Sequence, residues 1–251
     1  MKMNKLVKSL ALTAGIAASF SSYADFVEFT VDESYAAGSG SMVVADKING
    51  GYVERITFDG AGNFTASAFA TFGQFFNGSN SLNTGLNNTY SLYATFEAQG
   101  TADSQGNVEF FVGDTGGFQI FLDRNNDTGL SDENDVDSVS NTGDDVLLGM
   151  SDMIGENLGT STTINGKTVT AFDFDFLDFS LTSEGDQYFV SPRPFSMMVN
   201  VNGDFDSFAQ TGEQITRGDV SAQFYDVPEP STLAVLGIGL LGLGASSRRK
   251  A

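Results

Sequence analysis

The sequence predicts an all-β fold: a single antiparallel sandwich or jelly-roll-like ectodomain between an N-terminal signal peptide and a short C-terminal transmembrane helix. Three observations carry this. Between residues 25 and 227, short runs with period-two alternation are separated by Gly, Asn and Asp clusters. No stretch in that region repeats its apolar residues with the period of a helix. About 200 residues remain once the two hydrophobic ends are set aside, enough for one domain with a sizeable core.

Residues 1–24 read as a secretory signal peptide. Lys2, Lys5 and Lys8 form the basic start, and Ser9 to Ala18 form a short apolar stretch. Ser22 and Ala24 are the small residues that signal peptidase needs three and one places before its cut, so the mature chain starts at Asp25.

The ectodomain, 25–227, is then a series of strands. Met42 to Ile48 and Tyr52 to Phe58 flank Asn49-Gly50-Gly51, a predicted hairpin turn because Asn and Gly tolerate positive φ. Phe64 to Phe72 alternates aromatic, small and hydroxyl residues, and 76–88 is a loop rich in Asn, Gly and Ser. Thr89 to Gln99 has Tyr90, Leu92 and Phe96 on one face. Asn107 to Val112 and Phe118 to Leu122 are expected as two strands around Gly116-Gly117. An acidic stretch, 123–145, precedes Val146 to Ile154, which fits a strand or a short helical turn. Thr160 to Ile164 and Lys167 to Leu181 flank Asn165-Gly166 and form the clearest hairpin. In its second strand Phe172, Phe174 and Phe176 share one parity, while Leu177, Phe179 and Leu181 share the other. Both sets face the core only if a bulge lies near residues 176–178. Pro192 and Pro194 break the next segment; Ser196 to Val201 and Asp219 to Tyr225 are strands, with Val220, Ala222 and Phe224 on one face.

Charge narrows the function classes. The ectodomain has 31 acids against 6 bases, a formal charge of −25. Such a surface repels nucleic acid and anionic lipid, and suits a secreted protein that attracts divalent cations or meets neutral or cationic polysaccharide. The chain has no His, which removes Ser-His-Asp and Cys-His chemistry and His-ligated zinc. It has no Cys, so stability rests on the core.

Two acidic groups are candidate sites. Asp123, Asn125 and Asp127 offer side-chain oxygens at positions one, three and five of a loop, as calcium loops do, with Asp132 as a further ligand. The rest departs from the EF-hand pattern: Thr128 stands where Gly is required and Asn134 where a bidentate Glu is. These departures favour a solvated acidic loop, with calcium the one candidate cofactor for a looser site. Asp173 and Asp175 lie on one strand face about 6.6 Å apart, a spacing comparable to glycosidase carboxylates, although alternation on any half-exposed strand places acids so. No catalytic residues are assigned.

The tail, 228–251, begins with Pro228-Glu229-Pro230. Ser231 to Ser247 then run 17 residues without a charge, and Arg248, Arg249 and Lys250 follow. A helix of that length spans about 25 Å, slightly short of a hydrocarbon core of about 30 Å. The basic cluster stops transfer and stays cytoplasmic. Motif, glycine-rich span and basic cluster together resemble the PEP-CTERM sorting signal, whereas a plain membrane anchor is the alternative. The resemblance implies export through the inner membrane, processing by an exosortase, and a final place at the cell surface or outside the cell. Residues 45–76, ADKINGGYVERITFDGAGNFTASAFATFGQFF, look like the flocculation-associated branch of these proteins. That resemblance implies a non-enzymatic matrix protein that promotes cell aggregation with exopolysaccharide. A carbohydrate- or calcium-binding surface module and a carboxylate-based glycan-active enzyme are the other readings.

Overall fold

The computed structural model describes residues 27–105, 108–164, 167–193, 196–203 and 211–226. The predicted signal peptide and sorting tail lie outside these residues, as does the Asn165-Gly166 turn. The strands are β1 (Phe29–Asp32), β2 (Met42–Ala45), β3 (Lys47–Phe58), β4 (Asn63–Asn77), β5 (Asn80–Ser81), β6 (Ser91–Gln105), β7 (Val108–Asp123), β8 (Gly129–Leu130), β9 (Val139–Ser140), β10 (Val146–Ser151), β11 (Met153–Ile164), β12 (Lys167–Leu181), β13 (Phe189–Ser191), β14 (Ser196–Gly203) and β15 (Gly212–Asp226). Helix is confined, among the described residues, to Glu33–Ala37, Gly185–Tyr188 and a 3-10 turn at Thr142–Asp144.

Eight long strands form a ring. The order β3-β4-β6-β7-β11-β12-β14-β15 is antiparallel throughout, and β15 returns to β3 along Gly212↔Phe58 to Ala222↔Ile48. The domain is an up-and-down barrel, which corrects the expected sandwich or jelly roll. Alternation shows which side chains leave water but not whether they face a second sheet or the inside of one closed sheet. The β12–β14 and β15–β3 pairings decide that, and closure leaves these eight strands no free edge.

The walls are apolar inside and polar outside. Ile48, Tyr52, Ile56, Phe72, Leu92, Ala94, Phe118 and Ile120 are buried, while Thr65, Thr71, Glu97, Gln99 and Gln119 are exposed. A transmembrane barrel has the reverse arrangement.

Two glycine-rich breaks expected in the sequence are strand interiors instead. β3 runs straight through Asn49-Gly50-Gly51, and its register with β4 shifts between Asn49 and Gly50. A Cβ on Gly50 would stand 1.8 Å from the carbonyl oxygen of Thr71, so the glycine serves a close backbone approach at a bulge, not a turn. Likewise β7 continues through Gly116-Gly117 as one strand of 16 residues. The predicted hairpin 160–181 is present, with Ile164 opposite Lys167. The bulge predicted in its second strand is present too. Register with β14 shifts between Phe176 and Phe179, and Asp178 adopts φ 52°. The extra residue returns Phe179 to the inner face, where it and Phe176 are both 1 % exposed.

β10 settles the ambiguous segment 146–154 as strand. It pairs with β7 and with the end of β12, wedging between them where β11 has not yet begun. It takes the place of β11 in the ring, so eight strands also surround this end of the barrel. A three-stranded sheet, β13-β1-β2, plugs it. Phe29 sits at its centre, with ring centroids 4.9 Å from Phe224, 6.0 Å from Phe189 and 6.2 Å from Phe75. Beside it the buried Glu33 accepts from the Gly85 N–H at 2.6 Å and the Tyr90 hydroxyl at 3.1 Å, and Tyr90 meets the Tyr188 hydroxyl at 3.1 Å.

Candidate functional site

The acidic stretch after β7 is a strap folded against the outer wall. Asp123 ends β7 fully buried. Its Oδ1 accepts from the N–H groups of Asn125 at 3.1 Å and Asn126 at 2.7 Å; its Oδ2 accepts from the Thr128 N–H and the Ser91 hydroxyl, both at 2.9 Å. Four donors therefore hold the carboxylate where the sequence suggested a calcium ligand. Asn125, Asp127 and Asp132 are exposed. Asp132 accepts from the Asn134 N–H at 2.9 Å, a local turn. Among the described residues no group of three or more Asp, Glu, His or Cys is placed to hold a metal ion. The four candidate ligands are thus split between a buried cap and an exposed loop.

Farther along, the strap meets two arginines of the barrel. Arg55 donates to Asp137 at 2.6 Å and lies 3.7 Å from Asp135. Arg217 donates to the Glu133 carbonyl at 2.6 Å and to Asn134 Oδ1 at 2.9 Å. Val136 is buried between these anchors in sequence. At the strap's other end, Tyr93 and Thr128 both donate to Asp145 Oδ2 at 2.8 Å. Burial, then the neighbouring Asp145, pushes the Tyr93 phenol up; burial pushes the Asp145 carboxyl up against its two hydrogen bonds. Other cations are also engaged internally: Arg124 lies 4.6 Å from the Tyr35 ring, Lys47 lies 4.9 Å from Phe76, and Arg193 pairs with Asp186.

Asp173 and Asp175 alternate with the inward Phe172, Phe174 and Phe176, so they sit on the outside of β12, opposite Asn202 and Asn200 of β14. They border a shallow depression with Leu158 and Thr160. Burial and then these two acids push the Tyr225 phenol up to about 12.

The feature that sequence reading missed is inside the barrel. The plugged core ends near Phe72, Phe96 and Phe118, and a second cluster of Phe58, Phe64 and Phe111 closes the opposite end, with ring centroids 6.1–6.4 Å apart. Between them the inward positions of β4 and β6 carry Ala66, Ala68, Ala70, Ala94 and Ala98, too small to meet across the lumen. A cavity of about 70 Å³ remains. Glu54, between Tyr52 and Ile56 on the inner face of β3, points into it. Thr216, fully buried on β15, is 3.4 Å from Glu54 Oε2. Burial pushes the Glu54 carboxyl up to about 7, against the weaker opposing pull of Thr216. The sequence held a signal for this: an acid in phase with inward Tyr52 and Ile56, facing a run of alternate alanines at 66, 68 and 70.

The sorting residues Pro228, Glu229 and Pro230, the basic stop Arg248, Arg249 and Lys250, and the cleavage residues Ser22 and Ala24 lie outside the described residues. Comparison with family models matched residues 226–250 to the PEP-CTERM protein-sorting motif. No curated protein matched the chain. No solved structure matched it. The motif marks an exported protein, sorted by an exosortase to the cell surface or the extracellular space.

Proposed function

We propose that this chain is a non-enzymatic matrix protein that promotes cell aggregation together with exopolysaccharide. The sorting motif supports the destination. The observation that carries the role is the disposition of charge. Five of the six ectodomain bases are engaged within the domain, Lys47 and Arg124 with rings, Arg55 and Arg193 with acids, and Arg217 with the Glu133 carbonyl and the Asn134 amide, which leaves the excess of acids over bases without internal cations to balance it. At physiological salt, charges more than about 8 Å apart are largely screened, so many weak contacts to a shared polysaccharide, or bridging cations, overcome the repulsion between such domains.

Deleting the gene should leave growth and polysaccharide synthesis intact but disperse the cells, read by settling and microscopy. Normal flocs from the deletion strain, or loss of polysaccharide altogether, would overturn the matrix reading. Processing is tested separately. Intact mass spectrometry of the extracellular protein should show a chain lacking Ser231 to Ala251, and Glu229→Ala should hold the protein in the inner membrane. A released form still carrying Arg248-Arg249-Lys250 would count against exosortase cleavage.

A further inference from the structure

We infer that the barrel lumen is a binding site for a small hydrophobic amine, with its apolar body against the alanine-lined wall and its ammonium group on Glu54. Tyr52, Glu54 and Ile56 occupy successive inward positions, and a one-residue slip that turned Glu54 outward would expose its neighbours as well. Glu54 is therefore held inside an apolar tube. Its facing neighbours are Ala68 on β4 and Thr216 on β15. The Thr216 hydroxyl is its hydrogen-bond partner among the described residues, at 3.4 Å, the weak end of such contacts. Among the described residues, those lining the cavity include no Lys or Arg.

An isolated carboxylate in apolar surroundings is costly unless a cation or donors meet it. It is not packed on all sides, because it retains surface although it points inward, and so do the inward Ala68, Ala70, Phe96, Phe172 and Phe174. That surface belongs to the cavity. The volume of about 70 Å³ holds roughly five to seven water-sized groups, the size of a short alkyl or arylalkyl chain. A ligand ammonium supplies the missing countercharge and three donors, and its chain replaces water against Ala and Phe side chains. Phe96 and Phe174, 5.5 Å apart, add ring faces that favour a cation. An anionic ligand would meet like charge, and a neutral alcohol would bring one donor but no countercharge. The negative ectodomain also concentrates cations near the barrel.

Hexylamine, hexanol and hexanoate are the matched probes, titrated into the mature exported protein by calorimetry at neutral pH. Hexylamine should bind at least about tenfold more tightly than hexanol, and hexanoate should not bind measurably. Glu54→Gln should fold, keep hexanol binding and lose the preference for the amine. Ala68→Phe fills the lumen and should abolish binding of both. Ala70→Leu serves the same purpose if that variant does not fold. No hexylamine binding by the wild type, equal affinity for amine and alcohol, or unchanged amine affinity in Glu54→Gln would each overturn the assignment.

Discussion

Replacing Asp123 with Ala should cost about 4 kcal/mol of stability, the largest loss expected from any single side chain of the strap. Its two oxygens accept three backbone N–H groups and the Ser91 hydroxyl, and none of the carboxylate is exposed. Truncation leaves those donors unpaired at the base of the strap. Hydrogen bonds to a charged group are each worth about 1.5–3 kcal/mol, and relaxation of the loop keeps the total below their sum. Asp123→Asn keeps one acceptor oxygen but turns an NH2 group toward N–H donors, so about half the loss is expected. Urea unfolding measures both. The cap also separates two roles for this residue. If Asp123 holds the chain, its loss should be the same with calcium and with chelator. A penalty that vanished in chelator, together with a melting shift on adding calcium to the wild type, would identify Asp123 as a metal ligand.

Glu54→Gln should change how stability depends on pH. The carboxyl titrates near 4.5 in the unfolded chain and is pushed up to about 7 by burial in the barrel. Between these values the folded state holds the proton more tightly, so stability falls as pH rises. Below pH 4.5 both states are protonated and the penalty is absent; above pH 7 both are ionised and it is complete. A gap of this size corresponds to about 3 kcal/mol. The difference in unfolding free energy between Glu54→Gln and wild type should therefore move by about that much in favour of the variant between pH 4 and pH 8. Reading the difference removes contributions common to both proteins, including the exposed Asp59 and Asp137, whose carboxyls hydrogen bonds to Asn63 and Arg55 respectively hold low. Among the described residues, Tyr52 is the other titratable side chain lining the lumen. Parallel pH profiles for variant and wild type would show that Glu54 is not desolvated.

Strand identity was largely legible because it depends on local pattern. Val220, Ala222 and Phe224 alternate on the inner face of β15 as their spacing required, at 4 %, 2 % and 1 % exposure. The conflict of parity in β12 announced a bulge because six large apolar side chains could not all be satisfied by one straight strand. Glycine was the main source of error. Asn49-Gly50-Gly51 has the composition of a turn, yet the backbone of Thr71 passes so close that only a residue without Cβ fits. The acidic stretch was equally ambiguous: alternating Asp and Asn side chains bind calcium or accept N–H donors, and the chain's own turn after Asp123 supplies the donors.

By itself, the sequence determined the destination of this protein, the all-β class and the acidic character, since each depends on residues adjacent in the chain or on composition. Closure of the ring, the plug at one end, the strap on the outer wall and the cavity around Glu54 were decided only in the tertiary structure. They depend on partners far apart in sequence, such as Ala222 with Ile48 and Thr216 with Glu54. A period-two pattern reports that a side chain points inward; what it meets there is settled by the strand that comes to lie across from it.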